Sequence, residues 1–141
     1  MAAMTAPSAN NQQLWEFVVI KDRNILKEMI KIHPGGYQML NNAPLAIMVC
    51  GNLEREIQEE GYWVQDCSAA TENILLAAQS KGLGAVWLGV YPKEDRIKTL
   101  KENFNLPEKV IPLSIISVGH PAEKKKPSKR FDRSRIHLNI W

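Results

Sequence analysis

The stretch 62–92 constrains the fold of this chain most, because it joins a long helical pattern of small residues to a glycine and a short apolar strand. From Val64 to Ala78, apolar and small residues recur at steps of three and four, which is the period of a helix. Alanine dominates this face and allows a neighbouring backbone to come close. We therefore expect a helix buried in the middle of the molecule or in a subunit interface, ended by a left-handed turn at Gly82 and followed by a strand at 85–88.

Strand-like and helix-like segments alternate along the rest of the chain. Aromatic and β-branched runs predict strands at 15–20, 45–50 and 110–119, and the apolar period predicts helices at 25–32 and 92–104, with Pro92 at the first helical position. Pro112 indicates an edge position or a bulge in the last strand. This alternation usually argues for a parallel α/β sheet, although the pattern itself supports only four strands with three or four helices.

Composition and cysteine usage limit the class of protein. A chain of 141 residues with 45% hydrophobic content makes one domain with a real core. No apolar run approaches the ~20 residues of a membrane span, and the amino terminus lacks a signal-peptide layout, so we expect a cytoplasmic protein with no membrane partner. Cys50 and Cys67 have no CxxC spacing and no nearby histidine, which predicts buried free thiols and no metal site.

Residues 7–13 form a polar segment rich in side-chain amides, directly ahead of the first strand. Pro, Ser and Asn favour turns, so an ordinary loop is the simpler interpretation. The alternative is a binding loop, since amide side chains offer donors and acceptors to a polar heteroaromatic ring. The residues alone favour the ordinary loop.

Residues 120–135 are polar, basic and punctuated by proline, and residues 136–141 then alternate like a strand. As a solvated run, this tail needs no partner. As a functional element, Arg133 and Arg135 are suited to clamp a phosphate, because guanidinium groups match phosphate oxygens in pairs. A nucleic-acid partner is not expected, because the basic run is short and terminal and has no stacking aromatic beyond Phe131.

Several segments of the chain, in order, resemble those of one family. Residues 6–15 are similar to an Ala-Pro-Ser-x-x-Asn-x-Gln-Pro-Trp loop, with Leu14 where proline is usual, and residues 61–70 begin a segment that resembles a long central helix. Residues 82–89 resemble a segment that passes beside a flavin ring, and residues 130–137 resemble a tail that brings positive charge to the flavin phosphate. Over nearly its whole length, the chain resembles the nitroreductase family of flavin-dependent oxidoreductases.

The resemblance implies an α+β fold with a mostly antiparallel sheet flanked by helices, in place of the parallel sheet that alternation favours. It also implies a homodimer with FMN bound in the interface, to which the central helix contributes. Residues 1–141 would form a single domain, and the basic tail 120–141 would extend over the partner subunit.

The function that the resemblance implies is hydride transfer from NADH or NADPH through FMN to nitroaromatics, quinones or similar flat acceptors, in a ping-pong cycle. The flavin would carry the chemistry, so no catalytic side chain is expected. Family members usually have an Arg-Ser-x-Arg motif ahead of the Ala-Pro-Ser loop, and this sequence begins after that point. We therefore expect an N-terminally truncated member, in which each missing phosphate contact weakens FMN binding by ~1.5 to 3 kcal/mol. The alternative is a non-catalytic flavin-binding or structural dimer.

The resemblance assigns cofactor-binding residues to three groups. One subunit would supply the loop residues, the other would supply residues beside the ring, and two arginines would meet the phosphate. These candidates are Pro7, Ser8, Ala9, Asn11 and Gln13 in the loop, Trp87, Leu88 and Gly89 beside the ring, and Arg133 and Arg135 at the phosphate.

Overall fold

The structure, a computed structural model, describes residues 1–57, 61–123, 126 and 128–141. Its strands are β1 (Trp15–Ile20), β2 (Leu45–Asn52), β3 (Gly84–Gly89) and β4 (Val110–Gly119), and its α-helices are α1 (Arg23–Ile32), α2 (Trp63–Ser80) and α3 (Glu94–Phe104). Short 3₁₀ turns lie at Ala2–Thr5, Ala9–Asn11, Gln38–Asn41, Leu53–Arg55 and Arg133–Arg135.

The strands form one sheet in the order β1-β2-β4-β3, and every neighbouring pair is antiparallel. The α+β fold implied by the resemblance is therefore confirmed, and the parallel sheet predicted from alternation is wrong. Ile20, at the end of β1, pairs with Ala46, near the start of β2, so the connection between them begins and ends at the same end of the sheet. Helix α1 leads away from that end, and a segment through the buried residues Tyr37 and Leu40 leads back.

The bulge predicted near Pro112 is present. Val49 pairs with Ser114 but Cys50 pairs with Pro112, so Leu113 is an extra residue in β4. Because β4 is an internal strand, the edge position is excluded. Proline has no N–H to donate to a sheet, and the bulge accommodates that loss.

Helices cover both faces of the sheet. On one face, α1 and α3 bury apolar residues such as Leu26, Met29 and Leu100 against Ile115, while Ile116 points to the other face, towards α2. The predicted burial of the alanine-rich helix is confirmed, because the small residues of α2 lie on the sheet. Gly82 has φ 71° just after the helix, as the predicted left-handed stop requires.

Helix α2 lies very close to the sheet at its first residue, Trp63. A Cβ on Gly51 of β2 would lie 2.5 Å from Cε3 of Trp63, so only glycine fits under the indole ring. Further along the helix, Cys67 and Cys50 are buried free thiols, as predicted, and the Cys67 thiol contacts the Cys50 carbonyl at 3.5 Å. Burial raises the pKa of both thiols to about 12, so they stay protonated at neutral pH.

Two local predictions are wrong. Helix α3 begins at Glu94 with Lys93 as its N-cap, so Pro92 precedes the helix instead of opening it. Residues 136–141 alternate like a strand but form none, since a strand needs a neighbour for its backbone hydrogen bonds and this tail has none in the single chain. Every described residue from 120 to 141 is exposed, and positions 124, 125 and 127 of the tail lie outside the described residues. Among the described helices, none has both the length and the apolar character to cross a bilayer.

Candidate functional site

The amide-rich loop ahead of β1 has an unusual and well-fixed backbone. Asn10, Asn11 and Gln13 have φ angles of 51°, 54° and 54°, in the left-handed region that asparagine tolerates and glutamine rarely enters. The Gln13 backbone N–H donates to Ser8 Oγ at 3.0 Å, and the Asn11 N–H donates to the Ser8 carbonyl at 3.1 Å. Gln13 Nε2 also donates to Asn11 Oδ1 at 3.0 Å. The loop therefore holds a strained shape by its own hydrogen bonds, which is typical of a binding loop.

Asp66, in the first turns of α2, anchors this loop to the core. Its Oδ1 accepts the backbone N–H of Ala9 at 3.0 Å, and the residue is only 5% exposed. Its Oδ2 is buried without a hydrogen-bond partner among the described residues. An unpaired buried carboxylate oxygen is costly, so Oδ2 at this position has an unmet need for a hydrogen-bond donor among the described residues. The prediction of site residues missed Asp66, although its place on the same helical face as Trp63 and Ala70 marks it as an acid in a buried stripe.

The second group of candidates lies at the end of β3, an edge strand. Backbone groups of successive strand residues face opposite sides. Val90 donates its N–H to the Leu113 carbonyl in the bulge of β4, so the N–H and C=O of Gly89 face the open edge. The Gly89 carbonyl accordingly accepts hydrogen bonds from outside the sheet, from Tyr37 Oη at 3.0 Å and from Arg96 Nη1 at 2.8 Å.

Open space lies beside Gly89. The side chain of Leu88 is 4% exposed and packs in the core under α1 and α3, so a side chain at Gly89 would point to the opposite face, the side of α2. A Cβ on Gly89 would meet no atom within 4 Å. Trp87, on the same side as that space, is partly buried against the α2 core. The end of β3 thus combines an apolar wall, an empty position and an outward-facing backbone N–H.

The two arginines of the tail form hydrogen bonds within the tail itself. Arg133 Nη1 donates to the carbonyl of Ile136 at 2.9 Å, and Arg135 Nε donates to Asp132 Oδ2 at 3.2 Å. Hydrogen bonds from the side chain and backbone of Ser134, and then one from Arg135, hold the pKa of Asp132 below its usual range. These contacts are all within the tail and exposed to solvent, so neither guanidinium is buried in a fixed structural role.

A single chain holds the amide loop and the end of β3 at opposite edges of its sheet. One row of the sheet runs from Phe17 through Val49 and Ser114 to Gly89, which spans three strand spacings, or about 14 Å. The amide loop precedes β1 at one edge of the sheet, and Gly89 lies in β3 at the other edge. The candidates assigned to the loop and to the ring edge are therefore at opposite edges of the sheet.

A cleft of about 760 Å³ lies at the other end of β3, between Gly84 and Gly119, with Asn42 and Gln79 in its walls. It includes none of the predicted cofactor-binding residues. Gly84 is five residues from Gly89, or about 17 Å along an extended strand, so the cleft is separate from the candidate site. Within the described ranges, no group of three or more His, Cys, Asp or Glu residues is placed to hold a metal ion.

Comparison with known proteins, by a family profile and by similar sequences, identifies one family. The profile described as "Nitroreductase family" matches residues 31–120. A protein of Methanothermobacter thermautotrophicus, provisionally named an NADH dehydrogenase/NAD(P)H nitroreductase, is 49% identical over 140 residues, which cover 99% of this chain and 72% of the relative.

Two solved structures are similar over nearly the whole chain. One, a Bacteroides thetaiotaomicron protein with the same provisional name, has a TM-score of 0.92 and 46% identity, and the match covers 99% of this chain and 80% of that one. The other, an FMN-dependent nitroreductase of Clostridium difficile, has a TM-score of 0.90 and 32% identity, and the match covers 99% of this chain and 83% of that one.

Proposed function

Because this chain belongs to the nitroreductase family, we propose that it is an oxidoreductase that binds FMN and transfers hydride from NADH or NADPH to nitroaromatics, quinones or similar flat acceptors. The observation that supports this most strongly is the outward-facing N–H of Gly89 beside an empty position on an edge strand. FMN, when bound, accepts hydride from the nicotinamide and passes it on, so donor and acceptor take turns in a ping-pong cycle. The similar Clostridium difficile protein, named as FMN-dependent, supports this choice of cofactor.

The residues at the end of β3 fit a flavin. Isoalloxazine is a flat and mostly apolar ring with a polar edge, which suits an apolar wall with a few backbone partners. Trp87 supplies apolar surface on the side of the open space, and the absent side chain of Gly89 leaves room for the ring, whereas the Leu88 side chain is buried on the opposite face. The Gly89 N–H, on the open edge of β3, is placed to donate to the polar edge of the ring. No protein acid or base is assigned to the hydride transfer.

The amide loop fits the same cofactor from a second copy of the chain. Ser8, Asn11 and Gln13 present hydroxyl and amide groups from a backbone that is already fixed, so little conformational entropy is lost on binding. Since the loop and Gly89 lie at opposite edges of one sheet, we propose that the loop that contacts each flavin comes from the other subunit. This is the argument for a homodimer with its site in the interface.

The tail supports the same assembly. Phe131 and Ile140 are each 81% exposed and Trp141 is 99% exposed, although such side chains are normally buried. We propose that residues 1–141 form one domain and that the tail 120–141 lies over the partner subunit, where these side chains gain cover. Arg133 and Arg135 would then meet the flavin phosphate. The exposed contact between Arg135 and Asp132 is readily exchanged for a phosphate, which offers a better match to the guanidinium.

The proposal is tested on the purified chain supplied with FMN. We expect stoichiometric retention of yellow flavin after gel filtration, at an elution volume of a dimer. NADH or NADPH should bleach the flavin without oxygen, and a nitroaromatic should restore the colour, with parallel double-reciprocal plots in the steady state. Retained flavin that neither nicotinamide reduces would show instead a non-catalytic flavin-binding dimer, and absence of flavin uptake would refute the proposed function.

A further inference from the structure

The carbonyl of Gly89 is held by two side chains from distant parts of the chain. Tyr37 Oη donates to it at 3.0 Å from the segment between α1 and β2, and Arg96 Nη1 donates to it at 2.8 Å from α3. The Arg96 guanidinium also lies 5.8 Å from the centre of the Tyr37 ring, and His33 packs edge-on against that ring at 5.4 Å. We refer to Tyr37 and Arg96 together as the Gly89 clamp.

The clamp restrains a residue whose backbone is otherwise free to move. Glycine has the largest conformational freedom of any residue, and Gly89 is the last residue of an edge strand, with a neighbour on one side only. The held carbonyl belongs to the peptide group between Gly89 and Val90, so the two donors restrain the ψ rotation of Gly89 and reduce the motion of the backbone that carries its N–H. Tyr37 is 1% exposed, which makes the donor itself rigid.

The clamp also brings charge to the site. A guanidinium bonded to the Gly89 carbonyl places a positive charge next to the position proposed for the polar edge of the ring. Reduction of a flavin adds negative charge to that ring, and a fixed positive charge nearby favours the reduced form.

We propose that Tyr37 and Arg96 are positioning residues, which fix the Gly89 backbone for the flavin and bias the flavin towards its reduced state. The bias on the flavin rests on the proposed function. The fixation of the backbone does not, because it is a property of the chain without cofactor.

Two variants with matched controls test the clamp. Tyr37→Phe removes one oxygen and keeps the buried ring, and Arg96→Met removes the charge and keeps much of the aliphatic stem. Tyr62→Phe and Lys98→Met remove an exposed hydroxyl and an exposed charge elsewhere, and Lys98 is on the same helix as Arg96.

The first measurement is made without flavin. The ¹⁵N order parameter of the Gly89 amide should fall from about 0.85 towards 0.6 or below in the double variant Tyr37→Phe with Arg96→Met, and stay unchanged in both controls. The second is the midpoint potential of the FMN-loaded protein. Arg96→Met should reduce the preference for reduced over oxidised flavin by about tenfold, which lowers the potential by about 30 mV for a two-electron couple.

Arg96→Lys separates the two roles, because it keeps the charge and loses the planar fork. In combination with Tyr37→Phe, it should restore most of the potential while Gly89 remains mobile. An unchanged order parameter and an unchanged potential in the clamp variants of a flavin-loaded protein would overturn this inference alone. Failure of the wild-type chain to take up FMN, with an equally rigid Gly89 in all variants, would overturn both the inference and the proposed function.

Discussion

Gly89→Ala should weaken cofactor binding without lowering the stability of the fold. A Cβ at this position meets no atom of the chain within 4 Å, so the methyl group causes no clash in the flavin-free subunit. Alanine loses less conformational freedom than glycine on folding, so the free energy of unfolding should stay level or rise by about 0.5 to 1 kcal/mol. The same methyl group would occupy the space proposed for the ring.

The expected loss of FMN affinity follows from that overlap. Displacing the ring from the Gly89 N–H removes a hydrogen bond of about 0.5 to 1.5 kcal/mol, and lost contacts with the wall add to it. Since each 1.4 kcal/mol is tenfold in affinity, we expect binding to weaken by about tenfold or more.

Gly51→Ala is the matched control, because it should lower the stability of the fold without occupying the space proposed for the ring. There the new Cβ would lie 2.5 Å from Cε3 of Trp63, in a packed part of the core. Overpacking should lower the free energy of unfolding by about 1 to 3 kcal/mol. Urea unfolding of the flavin-free proteins gives the stabilities, and quenching of FMN fluorescence gives the affinities. A Gly89→Ala protein that binds FMN as tightly as the wild type would refute the placement of the ring beside Gly89.

Three further predictions concern the loop, the tail and the thiols. Replacing Arg133 and Arg135 together by alanine should weaken FMN binding by about tenfold to a hundredfold per lost phosphate contact and leave the dimer intact, whereas Arg130→Ala in the same tail should change little; equilibrium dialysis and gel filtration measure both. Asp66→Ala removes the acceptor of the Ala9 N–H at 3.0 Å and should speed hydrogen exchange across the amide loop, while unchanged exchange would show that the loop needs no anchor. The two buried thiols, whose pKa is raised from 9.0 to about 12, should resist alkylation at pH 8 in the native protein and react once it is unfolded, as mass spectrometry would show. Because the unfolded chain ionises these thiols first, their contribution to stability is complete below about pH 9 and is lost as the pH rises towards 12.

The residue pattern predicted the helices and strands well, because helix and strand formation depend on interactions between residues that are close in the sequence. The period of small residues in 64–78 marked the helix that lies on the sheet, and Gly82 marked its end, since few other residues adopt φ 71° without strain. Pro112 marked a bulge because proline cannot donate to a ladder. The resemblance added the antiparallel sheet and named the loop and the end of β3, but its assignment of individual cofactor contacts remains a prediction.

The sequence by itself thus determined the four strands and three helices to within a few residues, the buried face of the central helix, and the family that the chain resembles. Only the tertiary structure decided how these parts stand to one another: that β1 and β3 are the two edges, that Asp66 holds the amide loop, and that Tyr37 reaches Gly89, 52 positions further along the chain. The physical reason is that periodicity records what each residue does within its own element. The direction in which a connection returns, and the partner that a polar side chain finds, depend on packing between elements far apart in sequence.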